Sequence, residues 1–193
     1  MSNKLKLISL CTALFALPTM ANWQLDNQAS NLSFITTKAE HIAEVHKFNK
    51  LSGQLDKNGT VSFEIDLASV DTLIGIRDER MQKYLFDTVT FPKLMFSAQV
   101  DYAQLKAMKV GESQQMTVAG KLSLHGQEQA VSSELMVTKL NGDNLLVNSV
   151  KPIIVQANQY DLVKGVDKLR ELAGLASISY AVPVTFNLQF NAH

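Results

Sequence analysis

Apolar and polar side chains alternate strictly along much of the sequence. Val61, Phe63, Ile65 and Leu67 are separated by Ser62, Glu64 and Asp66, and further on Val182, Val184, Phe186, Leu188 and Phe190 are separated by Pro183, Thr185, Asn187 and Gln189. Successive side chains of a strand point to opposite faces, so this period marks strands with one buried face and fits an antiparallel sheet. Weaker copies run through Leu32, Phe34 and Thr36; Leu94, Phe96, Ala98 and Val100; Met116, Val118, Leu122 and Leu124; and Val131, Leu135 and Val137. Between them, Asn58-Gly59 and Asn141-Gly142 predict tight type I′ turns, and His125-Gly126 predicts a similar corner.

Two stretches leave the alternation. Met81, Tyr84 and Leu85 fall at i, i+3 and i+4, which predicts one short helix over residues 76–86. A second helical turn is predicted from Val166 to Leu172, ended by Gly174, and residues 106–113 read as a polar loop. About eight strands with one or two short helices define an all-β chain, a sandwich or barrel. The antiparallel β-barrel is favoured because closure removes exposed edges. A barrel of this size is either filled by its own side chains or shaped around one small ligand. Pro183, inside an otherwise strong strand, predicts a bulge or a weakly paired edge through which a homodimer would form.

Composition changes the picture at the N-terminus. Lys4 and Lys6 precede an apolar stretch from Leu7 to Leu17, and Pro18, Thr19, Met20 and Ala21 offer a small-residue cleavage site. Residues 1–21 therefore read as a cleavable export signal, leaving residues 22–193 as one domain, and a periplasmic location is expected. The single cysteine, Cys11, lies within that signal, so the mature domain has neither disulfides nor thiolate metal ligands. Without the signal the chain carries 16 basic and 18 acidic side chains, a formal charge of −2 with no basic cluster, which argues against nucleic acid as a partner.

Catalytic signatures are sparse. No nucleophile elbow, phosphate-binding loop, dinucleotide fingerprint or calcium loop is present, and no metal site or cofactor is expected. His41, Glu44 and His46 resemble a zinc-protease arrangement with one residue too many, and the insertion spoils the spacing that brings two histidines to one metal. On a strand His41 and His46 face opposite ways, so both read as surface or lip histidines. Arg77-Asp78-Glu79-Arg80 reads as helix capping and local ion pairing, or as a cationic contact for an anionic head group at a barrel mouth.

Several segments together resemble the YceI-like family of lipocalin-like, polyisoprenoid-binding secreted proteins. They are Trp23-Gln24-Leu25-Asp26 with Ser33-Phe34; the block from Ala68-Ser69-Val70-Asp71-Thr72 through Arg77-Asp78, Phe86-Asp87, Pro92 and Phe96; and Gly120-Lys121-Leu122-Ser123-Leu124-His125-Gly126. Two places depart from the family pattern. Thr36-Thr37-Lys38 stands where a histidine commonly follows the opening Phe, and Ala157-Asn158-Gln159-Tyr160-Asp161 stands where an R-x-x-F-G segment is usual.

The resemblance implies an extended lipocalin-like barrel whose lumen holds a long apolar lipid, an isoprenoid or quinone-like chain, without catalysis. The expected function is binding, with transport or storage and transient membrane contact. Phe34, Phe96 and Phe186 occupy the apolar phase of their strands and are expected in the lumen, while Lys93, Gln99 and Gln189 face water. Met81, Leu85, Phe86 and Arg77 complete the expected ligand-binding set. Two alternatives stand beside it. One is an enzyme using His41, Glu44 or His46 on a lipid or small metabolite; the other is a stress-related interaction protein with a filled barrel.

Overall fold

The structure, a computed structural model, describes residues 23–193. The expected export signal and Cys11 lie outside the described residues.

Twelve β segments fold into a barrel of eight strands, because several long strands are each broken once. Segments β1 (Trp23–Leu25) and β2 (Asn31–Lys38) form the first barrel strand, and β3 (Ile42–Phe48) and β4 (Leu51–Leu55) the second. The third is made of β5 (Thr60–Asp66) and β6 (Val70–Asp71). Then come β7 (Lys93–Gln99), β8 (Ser113–Leu124) and β9 (Gln127–Lys139); β10 (Leu145–Ser149) with β11 (Ile153–Gln156) is the seventh, and β12 (Ala181–Ala192) the eighth. Each barrel strand pairs antiparallel with its neighbours in sequence. The ring closes where β12 meets β1 at Trp23↔Ala192 and β2 at Phe34↔Val184. Pro183 pairs opposite Ile154 of β11, one residue before β12 begins its pairing with β2, so its missing donor falls at the end of that ladder.

One turn forms as expected and two depart from expectation. His125 and Gly126 both adopt positive φ (52° and 76°), giving the two-residue turn that joins Leu124 to Gln127. At Asn58-Gly59 only the glycine does so, and Asp56 spans the corner by accepting from the amides of Asn58 and Thr60. Around Asn141-Gly142 the left-handed pair is Gly142 and Asp143, one residue later than expected.

The two ends of the barrel differ. At one end α2 (Tyr102–Ala107), capped by Asp101 accepting from Gln104 N at 3.0 Å, closes the bottom beside Trp23. Residues 106–113 are therefore not simply a polar loop: they begin inside this helix, and Leu105 and Met108 are anchored in the core. At the other end lies a lid of two helical segments. The first runs as α1 (Gly75–Arg80) into a π-helical stretch, Met81–Phe86. The second is α3 (Val163–Leu172), which starts three residues before the predicted turn and stops at Gly174 with φ 63°.

The π-helical widening corrects the predicted buried face. With five residues rather than three or four to a repeat, Met81 and Phe86 are buried together while Tyr84 is 39% exposed. The two lid segments approach so closely that a Cβ on Gly165 would overlap the Tyr84 carbonyl and Leu85 Cα. Among the described residues no helix is long and apolar enough to cross a membrane.

Candidate ligand-binding lumen

The inward phase of the strands encloses a cavity of about 460 Å³, within the range of small-molecule sites. Phe34, Phe96, Phe186, Met81, Leu85, Phe86 and Arg77 all line it. The barrel strands contribute an almost unbroken apolar wall, and the lid adds Leu162, Val166 and Leu169 from above. Lys93 and Gln99 face water as expected, and Gln189 is half-buried.

The three wall phenylalanines are not equivalent. Phe34 is 5% exposed and stacks on Phe48 at 5.2 Å, which in turn meets Phe86 at 5.9 Å. It is knitted into an aromatic row that runs from wall to lid. Phe96 and Phe186 are only partly buried. The Phe96 ring lies against Gly120 of β8, where any side chain would strike both the ring and the Ser97 carbonyl. That contact gives a physical reason for a glycine at the head of the Gly120-Lys121-Leu122 segment. The following His125-Gly126 corner packs on Phe91, with ring centroids 4.5 Å apart for His125, and stands apart from the lumen.

Polar side chains enter the lumen mainly near the lid. Thr36 and Lys38 continue the inward phase of Leu32 and Phe34 along β2, and Glu44 and His46 continue that of Phe48 along β3. Arg77 of α1 reaches down to Glu44 at 2.8 Å and donates to the Thr72 carbonyl at 2.7 Å, while Lys38 also meets Glu44 at 2.8 Å. Lys38 and Arg77 hold the Glu44 carboxyl below the usual glutamate range, against the opposing effect of burial. His46 is 4% exposed, shares a 2.9 Å hydrogen bond between its Nε2 and Thr36 Oγ1, and lies 5.3 Å from the Phe34 ring. Burial first, and the Arg77 charge second, push its imidazole pKa down. Both His46 Nδ1 and Arg77 Nε are covered by protein and lack a hydrogen-bond partner.

His46 is thus a buried wall residue rather than a surface or lip histidine. His41 does lie on the surface, 88% exposed in the β2–β3 turn, so His41, Glu44 and His46 are not gathered into one catalytic group. Sequence reasoning did not assemble the Thr36–Lys38–Glu44–His46 group. Half of the signal is in the chain: Thr36 and Lys38 follow the apolar phase of Leu32 and Phe34, whereas β3 shows no alternation from which Glu44 and His46 could be placed. Among the described residues no three His, Cys, Asp or Glu side chains gather as metal ligands. A second, smaller cavity of about 260 Å³ lies where β11 pairs only with β12 and leaves the first half of β9 without a partner on that side; Val131, Ser133, Ile153 and Val155 line both cavities.

An eight-stranded antiparallel barrel around an apolar lumen, plugged at one end and lidded at the other, is a lipocalin-like architecture. The YceI-like domain family matches residues 23–190, and the chain belongs to that family. A polyisoprenoid-binding domain of Saccharophagus degradans, described as implicated in plant cell wall breakdown, is 36% identical, with a TM-score of 0.88 over 90% of this chain and 99% of that one. BcnA of Burkholderia cenocepacia shares the fold at 22% identity, with a TM-score of 0.64 over 86% of this chain and 98% of that one. The YCEI protein of Campylobacter jejuni does so at 13% identity, with a TM-score of 0.54 over 75% and 82%. Comparison with curated proteins returned no match.

Proposed function

We propose that this protein binds one long apolar lipid, an isoprenoid or quinone-like chain, in the barrel lumen, and carries or stores it in the periplasm after removal of residues 1–21. The observation that carries the reading is the 460 Å³ apolar lumen whose charged lining residues cluster at the lid end. The polyisoprenoid-binding domain at 36% identity supports the choice of ligand class. Phe34, Phe96, Phe186, Met81, Leu85 and Phe86 contact the chain in this reading, and Arg77 stands near its head group. No step of chemistry is assigned to the site.

Burying each methylene gains roughly 0.8 kcal/mol relative to water. A bilayer offers nearly the same gain, so the protein exchanges its cargo with membranes rather than trapping it. Mass spectrometry of organic extracts from gently purified protein tests the proposal, followed by titration with offered isoprenoids. A recovered or incorporated lipid at one per chain is expected; an empty extract together with no uptake overturns it. N-terminal sequencing of the exported protein is expected to begin at Asn22.

A further inference from the structure

Leu73 breaks two rules at once. It is 89% exposed, and its backbone holds φ at 62°, a left-handed conformation that a branched, non-glycine residue adopts only under constraint. The constraint is visible. Asp71 Oδ1 accepts from Leu73 N at 3.0 Å, Asp78 Oδ1 accepts from Thr72 N at 2.9 Å and Thr72 Oγ1 at 2.5 Å, and Arg77 donates to the Thr72 carbonyl. Thr72 is 3% exposed and acts as the anchor from which the next residue is thrust outward. Four hydrogen bonds thus spend themselves on presenting a leucine to water, which neither packing nor stability explains.

Its surroundings supply a reason. Ile42, Ile74 and Ile76 are 51%, 46% and 55% exposed, and the Arg77–Glu44 pair ties α1 to the β3 end that bears Ile42. Ile74 and Ile76 also line the lumen, so the apolar surface runs unbroken from solvent over the rim into the cavity. Charge of both signs lies at the rim. Glu44 is paired with Lys38 and Arg77, and Asp71 with Lys47 at 3.6 Å. Arg80 makes one hydrogen bond, to the Leu172 carbonyl at 3.4 Å, and no carboxylate lies within ion-pair distance of it among the described residues. Asp78 and Glu79 of the same rim have no lysine or arginine within ion-pair distance among the described residues, so charge does not choose the partner; the apolar surface continuous with the lumen does, since it matches the hydrocarbon layer of a membrane.

We infer that the rim formed by Ile42, Leu73, Ile74 and Ile76 docks the lumen mouth onto a phospholipid bilayer, with Leu73 inserted as the leading contact and Arg80 on a lipid phosphate. The inference rests on the lipid-binding reading and adds the surface by which cargo passes between membrane and barrel.

The test uses Leu73→Gly and Ile42→Ser/Leu73→Gly, neither of which alters a residue lining the lumen. Glycine suits the left-handed backbone, so Leu73→Gly keeps or raises thermal stability. Flotation with vesicles of phosphatidylethanolamine and phosphatidylglycerol measures docking, and uptake of a short soluble isoprenoid alcohol measures the lumen. Partition of wild type onto vesicles is expected to fall about tenfold or more in Leu73→Gly and further in the double variant, with uptake of the alcohol unchanged. Equal flotation of wild type and both variants overturns the docking surface, whatever the uptake shows. Self-association of wild type that Leu73→Gly abolishes, without flotation, overturns it in favour of a second copy. Loss of uptake by wild type itself sinks the lipid-binding reading instead, while the flotation arm still decides the rim.

Discussion

The two ends of the barrel solve opposite problems with similar residues. At the closed end Lys139 is 3% exposed, yet its charge is met by Asp143 and by the face of Trp23, with Nζ 5.0 Å from the ring. Lys106 lies over the same indole and shares Asp143, and Trp23 donates its own N–H to the Asp143 carbonyl at 2.6 Å. At the lid end Lys38, Arg77, Glu44 and His46 also lie among apolar side chains, but His46 Nδ1 and Arg77 Nε are left without partners. A buried polar group left unpaired is costly, and such costs are tolerated where a structure must open or accept a ligand. One end is built to stay shut and the other to be passed through.

The largest expected effect breaks the closed end. Trp23→Ala removes a fully buried indole and uncovers two ammonium groups, so it should cost about 4 kcal/mol in urea unfolding. Isoprenoid affinity of the molecules that remain folded should change little. If affinity falls in step with stability, the ends are not independent.

Phe34 and Phe96 sharpen the contrast within the wall. Phe34→Ala, cut from the aromatic row, should cost about 3 kcal/mol. Phe96→Ala, whose ring faces the lumen, should cost about half as much and change isoprenoid uptake in a folded protein. Denaturant midpoints and uptake on the same samples check both. A smaller loss is expected from Gly120→Ala, about 1–2 kcal/mol, since the new methyl overlaps Phe96 and the β7 backbone. By driving Phe96 inward it should reduce uptake of bulky chains more than of slender ones.

The smallest effect is a pH dependence at the lid end. The folded-state pKa of His46 is depressed below its unfolded value of 6.5, so the unfolded chain takes up the proton first. Its contribution to stability is complete above that value and is lost as pH falls through the depressed folded value. Glu44, also depressed, acts in the same sense at lower pH, below 4.5. Urea midpoints should therefore decline in two stages on acidification, and His46→Gln should remove the first.

Much of this architecture was legible in the chain. Alternation in β2, β5, β7 and β12 marks the barrel wall, and its phase places Phe34, Phe96 and Phe186 inside. Six of the eight barrel strands show the alternation; the strands made of β3–β4 and β10–β11 do not, because Val45 and Leu146 put apolar side chains on the phase that faces away from the lumen. The π-helical step at Met81–Phe86 was not legible, since nothing in MQKYLF distinguishes a repeat of five from one of four until α3 presses Gly165 against it. Nor was α2, where Asp101 caps a stretch too short and polar to show helical period. The lid-end polar group was hidden for a different reason. His46 is a histidine in an apolar slot, and only the neighbouring strand supplies the Thr36 that satisfies one of its nitrogens.

The up-and-down order of the strands also bears on how the molecule forms. Nearly every ladder joins neighbours in sequence and is local, so hairpins such as β8–β9 can assemble early at small entropic cost. The seam is the exception: Asn191 bonds Asp26 across 165 residues and Gln189 bonds Ser30 across 159. Until that seam closes there is a curled ribbon with two bare edges and no enclosed interior. The rate-limiting event in folding should therefore be the docking of β12 against β1 and β2, and a chain caught before it would expose its whole apolar face to any neighbour doing the same.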